Sequence, residues 1–281
     1  MSTTANTAST EAPTAVSTSN AADPTQPSGT PSREKNTRGK TNGTGTRATR
    51  ALGISSLIGL VWLVAFGLAF SPADYLQKQA VRIMYIHVPG AWLAFLAFGV
   101  TALCSGVYLS KPGRSLIWDR FAGASAEIGV VFMAVTLVTG SLWGRLTWGV
   151  YWQWDALLTT TAFMFVTYIG YIAVRNLGGT PQARAKRSAV LGLVAALEIP
   201  LVHFSVNWWR TLHQKATITP GGDTKIGGLM LFSLMIGVVV FTMIYAWLLI
   251  HRQRVLALRD AVEAHGLDRA LEERRHEGAP R

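Results

Sequence analysis

Cysteine is almost absent from this 281-residue chain, and the single one, Cys104, stands inside an apolar run. That excludes a disulfide framework, a CxxC redox pair and a CxxCH motif for covalent cofactor attachment. Charge is scarce as well. Charged residues make up 15% of the chain, and acids are the scarcer sign, with 15 Asp and Glu against 26 Lys and Arg, for a net charge of +11. A basic excess can serve nucleic acid, but these cations stand at the ends of apolar runs rather than on one amphipathic face, so no nucleic-acid partner is expected. No Walker sequence is present, which argues against an ATPase. Residues 1–50 lack apolar runs. They are rich in Ser, Thr, Ala, Pro and Asn before turning basic and glycine-rich, a composition that cannot bury enough apolar surface to offset its ordering entropy. They read as a disordered tail. The charged start and early apolar core of a secretory signal are missing. Glu11, Asp23 and Glu34 count against a transit peptide.

What is there is apolar and blocked. Hydrophobic residues are 49% of the chain, gathered at about 51–70, 89–110, 122–142, 157–174, 188–206 and 227–250. Each block matches the length that crosses a bilayer core. Within lipid every backbone polar group must be paired internally, and for segments of this length that means helices. The expected fold is all-α, a polytopic membrane protein with six transmembrane helices. Residues 51–250 form the membrane domain, and 251–281 form a charged C-terminal tail whose Arg, Asp and Glu spacing suggests a solvated helix. The tails and the two even-numbered loops hold 20 of the 26 Lys and Arg, and the three remaining connections hold 6. By the positive-inside rule both termini are cytoplasmic.

The connections on the other side carry unusual residues. Segment 143–156 begins WGRLTWGVYWQWD, with Trp143, Trp148, Trp152 and Trp154 close together, Gly144 and Gly149 between them, and Asp155 closing the run. Tryptophan commonly anchors a protein at the membrane interface. Four in one segment exceed what anchoring needs and predict an apolar platform for a large planar ligand. His87, in RIMYIHVPG just before the second block, and His203, in LEIPLVHFSVNWW, lie at matching depth on that same side. Either alone reads as a hydrogen-bonded interfacial histidine. Together, two neutral imidazoles can ligate an iron macrocycle from opposite faces. Trp208 and Trp209 would extend the apolar wall. His213 is a weaker candidate, and His251, His265 and His276 belong to the tail. Glu198, an acid within an apolar block, is a functional candidate, against a plain packing role. Glu127 reads as structural.

These strings, WGxxxWGxxWxWD with MYIHVP before it and VHFSVxWWxTLHQ after it, resemble the haem exporter protein C family (CcmC) over about residues 51–250. The resemblance implies a multi-pass protein of the bacterial inner membrane that is not an enzyme. It further implies that haem b is bound non-covalently and transiently at the periplasmic face and delivered to a periplasmic haem chaperone (CcmE-like) during c-type cytochrome biogenesis. It implies ABC transporter subunits (CcmA- and CcmB-like) and a small single-span subunit (CcmD-like) as partners, with membrane lipid around them. Carried over by motif position, His87 and His203 are the axial iron ligands, and Trp143, Gly144, Trp148, Gly149, Trp152, Trp154 and Asp155 form the tryptophan-rich haem segment. Two positions depart from the family pattern. Tyr151 replaces the first of two adjacent tryptophans, and Leu157 stands where the family often has Arg, so Arg145 and Arg210 become the candidates for the haem carboxylates. The alternatives are a membrane b-type cytochrome with a resident haem, a transporter that passes haem through the bundle, and a purely structural subunit of an ABC exporter.

Overall fold

The computed structural model describes residues 45–110, 115–215, 218 and 226–277. Most of the expected N-terminal tail, residues 1–44, lies outside the described residues. Every regular element among those described is helical, and six segments are long and apolar enough to cross a membrane.

The first crossing is α1 (Arg47–Leu63), capped by the Thr46 side chain, which continues as a π-helical stretch over Val64–Phe70. The second starts as a 3-10 turn at Gln79–Ile83 and runs on as α2 (Met84–Ser110). Then come α3 (Leu116–Trp148), capped at its start by Ser115, and α4 (Ala156–Arg175), capped by Asp155. The fifth crossing is interrupted. Helix α5 (Pro181–Ala195) and α6 (Glu198–Trp208) meet at a break over Ala196–Leu197. The last is α7 (Gly228–Glu277), one unbroken helix of 50 residues.

The expected apolar blocks therefore mark the six helices but underestimate their lengths. Three differences have plain causes. Helix α3 extends six residues past the expected block, because Gly144 and Arg145 are helical and the chain turns only at Gly149. Helix α2 begins before His87, so that histidine sits inside the helix rather than ahead of it. The expected C-terminal tail from residue 251 is not a separate element among the described residues, since α7 continues through them to Glu277. Its inward face is held to the bundle by Arg252–Glu127, Arg120–Asp260 and Arg184–Asp260.

Helices α2 and α3 pack most extensively. Gly129 lets the Phe98 ring lie against α3, and Phe98 stacks on Tyr168 of α4 with 3.6 Å between centroids. One apolar cluster joins Tyr85, Leu93 and Ala97 of α2 to Leu234, Phe241 and Tyr245 of α7. A second joins Phe98, Met133, Met164, Tyr168 and Val202. In lipid, association depends on such close packing and on interhelical hydrogen bonds. Ser125 supplies two of these, donating to the Ala97 carbonyl at 2.7 Å and pairing with the Tyr245 hydroxyl at 2.7 Å. The buried Asp119–Arg175 pair ties the start of α3 to the end of α4.

Candidate functional site

The helix ends that meet at the tryptophan segment assemble the site. His87 lies in the first turn of α2, against α3. Its Nδ1 is 3.1 Å from the Thr136 carbonyl and 3.1 Å from the Thr139 hydroxyl oxygen. That hydroxyl already donates its proton to the Val135 carbonyl at 2.7 Å, so toward His87 it acts as an acceptor. Two acceptors at one ring nitrogen place the proton there and leave Nε2 with a bare lone pair, the form that binds iron. The ring fits because residue 140 is glycine. A Cβ there would stand 2.8 Å from His87 Cε1. Thr136, Thr139 and Gly140 follow helical spacing on one stripe of α3, which is the signal that reading the block as uniformly apolar passes over.

Trp143 covers the next edge. Its ring meets His87 edge-on at 5.6 Å, and its Nε1 donates to Gln77 Oε1 at 2.8 Å. Gln77 belongs to a tight turn in which Asp74 Oδ1 accepts from the amides of Leu76 and Gln77. The first connection on this side is thereby fixed to the indole of α3.

Residues 143–148 are the last turn and a half of α3, not a loop as expected from their glycines and tryptophans. Gly144 is buried, and a Cβ on it would press on the Trp148 ring at 3.0 Å. Its absence lets that indole fold back along the helix. Gly149 ends α3 with φ of 79°, a left-handed conformation that a side chain resists. The non-helical segment is only Gly149–Asp155. Ser141 donates to the Tyr151 carbonyl at 2.8 Å. Arg145 donates to the Gly149 carbonyl and lies 5.5 Å from the centre of the Tyr151 ring. Arg145 thus closes the end of α3. Both arginines considered for the haem carboxylates are exposed and without an ion pair among the described residues, but Arg145 is engaged with the Gly149 carbonyl.

Trp152 and Trp154 stand edge to face at 5.5 Å. Trp154 is 78% exposed and Trp148 37%, while Trp152 is half-buried with an Nε1 that has no hydrogen-bond partner. Asp155 anchors the far end. Its Oδ1 accepts from the Leu158 amide at 2.9 Å, capping α4, and its Oδ2 accepts from the Leu212 amide at 2.8 Å. That second bond draws in the last connection on this face. Its residues Trp208, Trp209, Arg210, His213 and Lys215 line a cavity of about 590 Å³.

The structure separates the three histidines of this face. His213 meets Trp148 edge-on at 6.3 Å. His203 is exposed on α6 and packs against Phe204 at 4.9 Å, and Phe204 stacks on Trp208. Among the described residues no hydrogen bond or ring contact joins His203 to His87 or to the tryptophan segment. Glu198 faces α4, where Thr167 donates to its Oε1 at 2.9 Å. Glu127 pairs with Arg252 and has the structural role expected of it.

Exposed indoles beside an imidazole with a bare nitrogen suit a flat, apolar, iron-containing ligand. Comparison with known proteins points the same way. Residues 38–267 match the model of a family described as Heme exporter protein C. A protein of that name from Bradyrhizobium diazoefficiens is 39% identical over 212 residues, covering 73% of this chain and 78% of the relative. One from Haemophilus influenzae is 36% identical over 208 residues, covering 72% and 80%. A putative cytochrome c biosynthesis ccmC-like mitochondrial protein from Arabidopsis thaliana is 33% identical over 214 residues, covering 76% and 80%.

Proposed function

The chain belongs to the haem exporter protein C family, and on that premise we propose that it binds haem at the periplasmic face of a bacterial inner membrane and delivers it to a periplasmic haem chaperone during c-type cytochrome biogenesis. Haem is cargo in this reading, and the chain is an assembly factor rather than a catalyst. An ABC transporter pair and a small single-span protein would share the complex.

The observation that carries the proposal is the seat of His87. Its tautomer is set by the Thr136 carbonyl and the Thr139 hydroxyl, its Nε2 is bare, and Trp143 stands beside it. One axial iron bond would form there. Trp148, Trp152 and Trp154 would cover the macrocycle by stacking and dispersion, Gly144 and Gly149 shape the turn that presents them, and Asp155 holds the segment to the last connection. An edge open to solvent, as the exposure of Trp154 indicates, suits release better than permanent retention. Arg210 and Lys215, at the rim, supply cations for the propionates.

The second axial ligand has two candidates. The sequence spacing favours His203. The contact of His213 with Trp148 favours His213. Both are neutral donors that a competing ligand can displace, as transfer requires.

The deciding experiment is the absorption spectrum of the purified protein before and after mixing with the haem chaperone. A bis-histidine haem spectrum that passes to the chaperone is the expected result. A haem that stays with the chain under all conditions would mark a resident b-type cytochrome instead.

A further inference from the structure

The first connection on the face of the tryptophan segment is a short turn, fixed more firmly than a link between two helices needs. Asp74 and Lys78 exchange both backbone hydrogen bonds, at 3.1 and 3.0 Å. Asp74 Oδ1 accepts from the amides of Leu76 at 2.9 Å and Gln77 at 2.7 Å. The Ala80 amide donates to the Gln77 carbonyl at 3.0 Å. Local bonds of this kind set the backbone without help from neighbouring helices. The closure also carries strain. Lys78 has φ of 51°, the one positive φ at a non-glycine among the described residues. A side chain resists that conformation, which persists only where the surroundings over-determine it.

The turn points one long side chain inward. Tyr75, Leu76 and Lys78 are exposed, whereas Gln77 is half-buried, and its Oε1 accepts the Trp143 indole N–H at 2.8 Å. The Trp143 ring also packs against the apolar cluster that contains Tyr85 and Leu93, and it lies 5.6 Å from the ring of His87. An indole turns about two side-chain torsions, and a hydrogen bond at Nε1, far from the backbone, restrains both.

We propose that Gln77 is a positioning residue of the haem site, holding the Trp143 indole in the orientation that walls the His87 imidazole. The proposal rests on the reading of His87 as an iron ligand. Thr136 and Thr139 fix His87 at Nδ1, but they do not touch the indole beside it. Gln77 decides whether that indole is held or swings. A wall ordered in advance spares a flat ligand the entropy cost of ordering it on binding. The chemistry of the contact is specific. An indole N–H is a donor only, so its partner must bring an acceptor. A glutamine carbonyl or a glutamate carboxylate suits, whereas a methionine thioether of similar length accepts only weakly.

The test uses the full-length protein in detergent, first without haem. The Trp143 indole N–H resonance, assigned by its loss in Trp143→Phe, should shift and exchange faster with solvent in Gln77→Met. In Gln77→Glu, which keeps an acceptor, it should stay protected. Haem titration should then show affinity about fivefold lower in Gln77→Met, the size of one net hydrogen bond. Gln79→Met makes the same replacement at an exposed glutamine of the same connection and should bind haem as the wild type does. Because Gln77 acts through the indole, adding Gln77→Met to Trp143→Phe should lower affinity no further than Trp143→Phe alone. An indole resonance that moves alike in Gln77→Met and Gln77→Glu would overturn the proposal. So would an equal loss of haem in Gln79→Met and Gln77→Met, or a further fivefold loss in the double variant. A wild type that binds no haem removes the reading beneath the proposal and the proposal with it, whereas a wild type that binds haem beside an unaffected Gln77→Met removes the proposal alone.

Discussion

The Asp155 carboxylate bridges two segments 57 residues apart in sequence, accepting the Leu212 amide on one oxygen while the other caps α4. Its place in the motif is therefore structural support for the indoles before it. Asp155→Ala should cost about 1 kcal/mol through the lost cap and should also release the last connection. The expected outcome is reduced haem content at near-normal expression, measured as haem per protein alongside the melting temperature. Asp155→Asn can keep the cap through its carbonyl oxygen but presents an amide to Leu212, so it should melt closer to wild type and still lose haem. Wild-type haem content in both variants would show that this bridge does not order the site.

Gly140 offers a cleaner separation of site from scaffold. Alanine is the better helix former by about 1 kcal/mol, so Gly140→Ala should not unfold α3. Its methyl would stand 2.8 Å from His87 Cε1 and force the imidazole off its two acceptors. Haem retention should fall severalfold while the melting temperature stays within a few degrees. A variant that loads haem normally would remove His87 from the ligand set.

The histidines answer to chemical rescue. In His87→Gly the indoles remain and one axial position opens, so added imidazole should restore part of the haem spectrum. Glycine at the second ligand should behave alike, and glycine at the third histidine should leave the spectrum unchanged. Comparing His203→Gly with His213→Gly therefore assigns the second ligand. A spectrum unchanged in all three would mean that the tryptophan segment holds haem without histidine.

How much of this was legible beforehand depends on which physical constraint speaks in the sequence. The need to cross lipid writes itself as long apolar runs, so all six helices could be read. Their ends could not, because Asp119 and Arg120 look like loop residues until Arg175 and Asp260 are seen beside them. Gly144 looks like a breaker until the Trp148 ring is seen occupying the space of its missing side chain. His87 stood out as a rare polar residue in an apolar stretch. Its partners did not, because a threonine carbonyl and a glycine carry no signal until α2 is laid against α3. His213 read as the weaker candidate for the same reason, since its approach to Trp148 depends on a connection folding back.

Asp119 and Arg175 are 3% and 7% exposed at their side chains, which makes them a test of the scaffold alone. Removing one partner of such a pair leaves an uncompensated charge and typically costs about 3–5 kcal/mol. Asp119→Asn should lower the melting temperature and the expressed yield sharply. Arg259→Gln, at an exposed pair, should be near neutral. Equal stability of the two would place Asp119 in water rather than in the bundle.

Topology follows from the division of Lys and Arg, 20 against 6. Reporter fusions after residues 113 and 179 should report the cytoplasm, and fusions after Val150 and Ile218 the periplasm. An inverted pair would sink the proposed orientation and with it the periplasmic site.

Helix α7 is 50 residues long, about 75 Å at the usual rise, more than twice the hydrocarbon thickness it crosses. It is fastened to α3 at three heights, by Tyr245 to Ser125, Arg252 to Glu127 and Asp260 to Arg120. Two rods riveted at three heights bend as one beam. Since α3 is also the wall on which His87 rests, a tilt of the protruding end of α7 is leverage on the floor of the site, transmitted through stiff helix rather than through any loop.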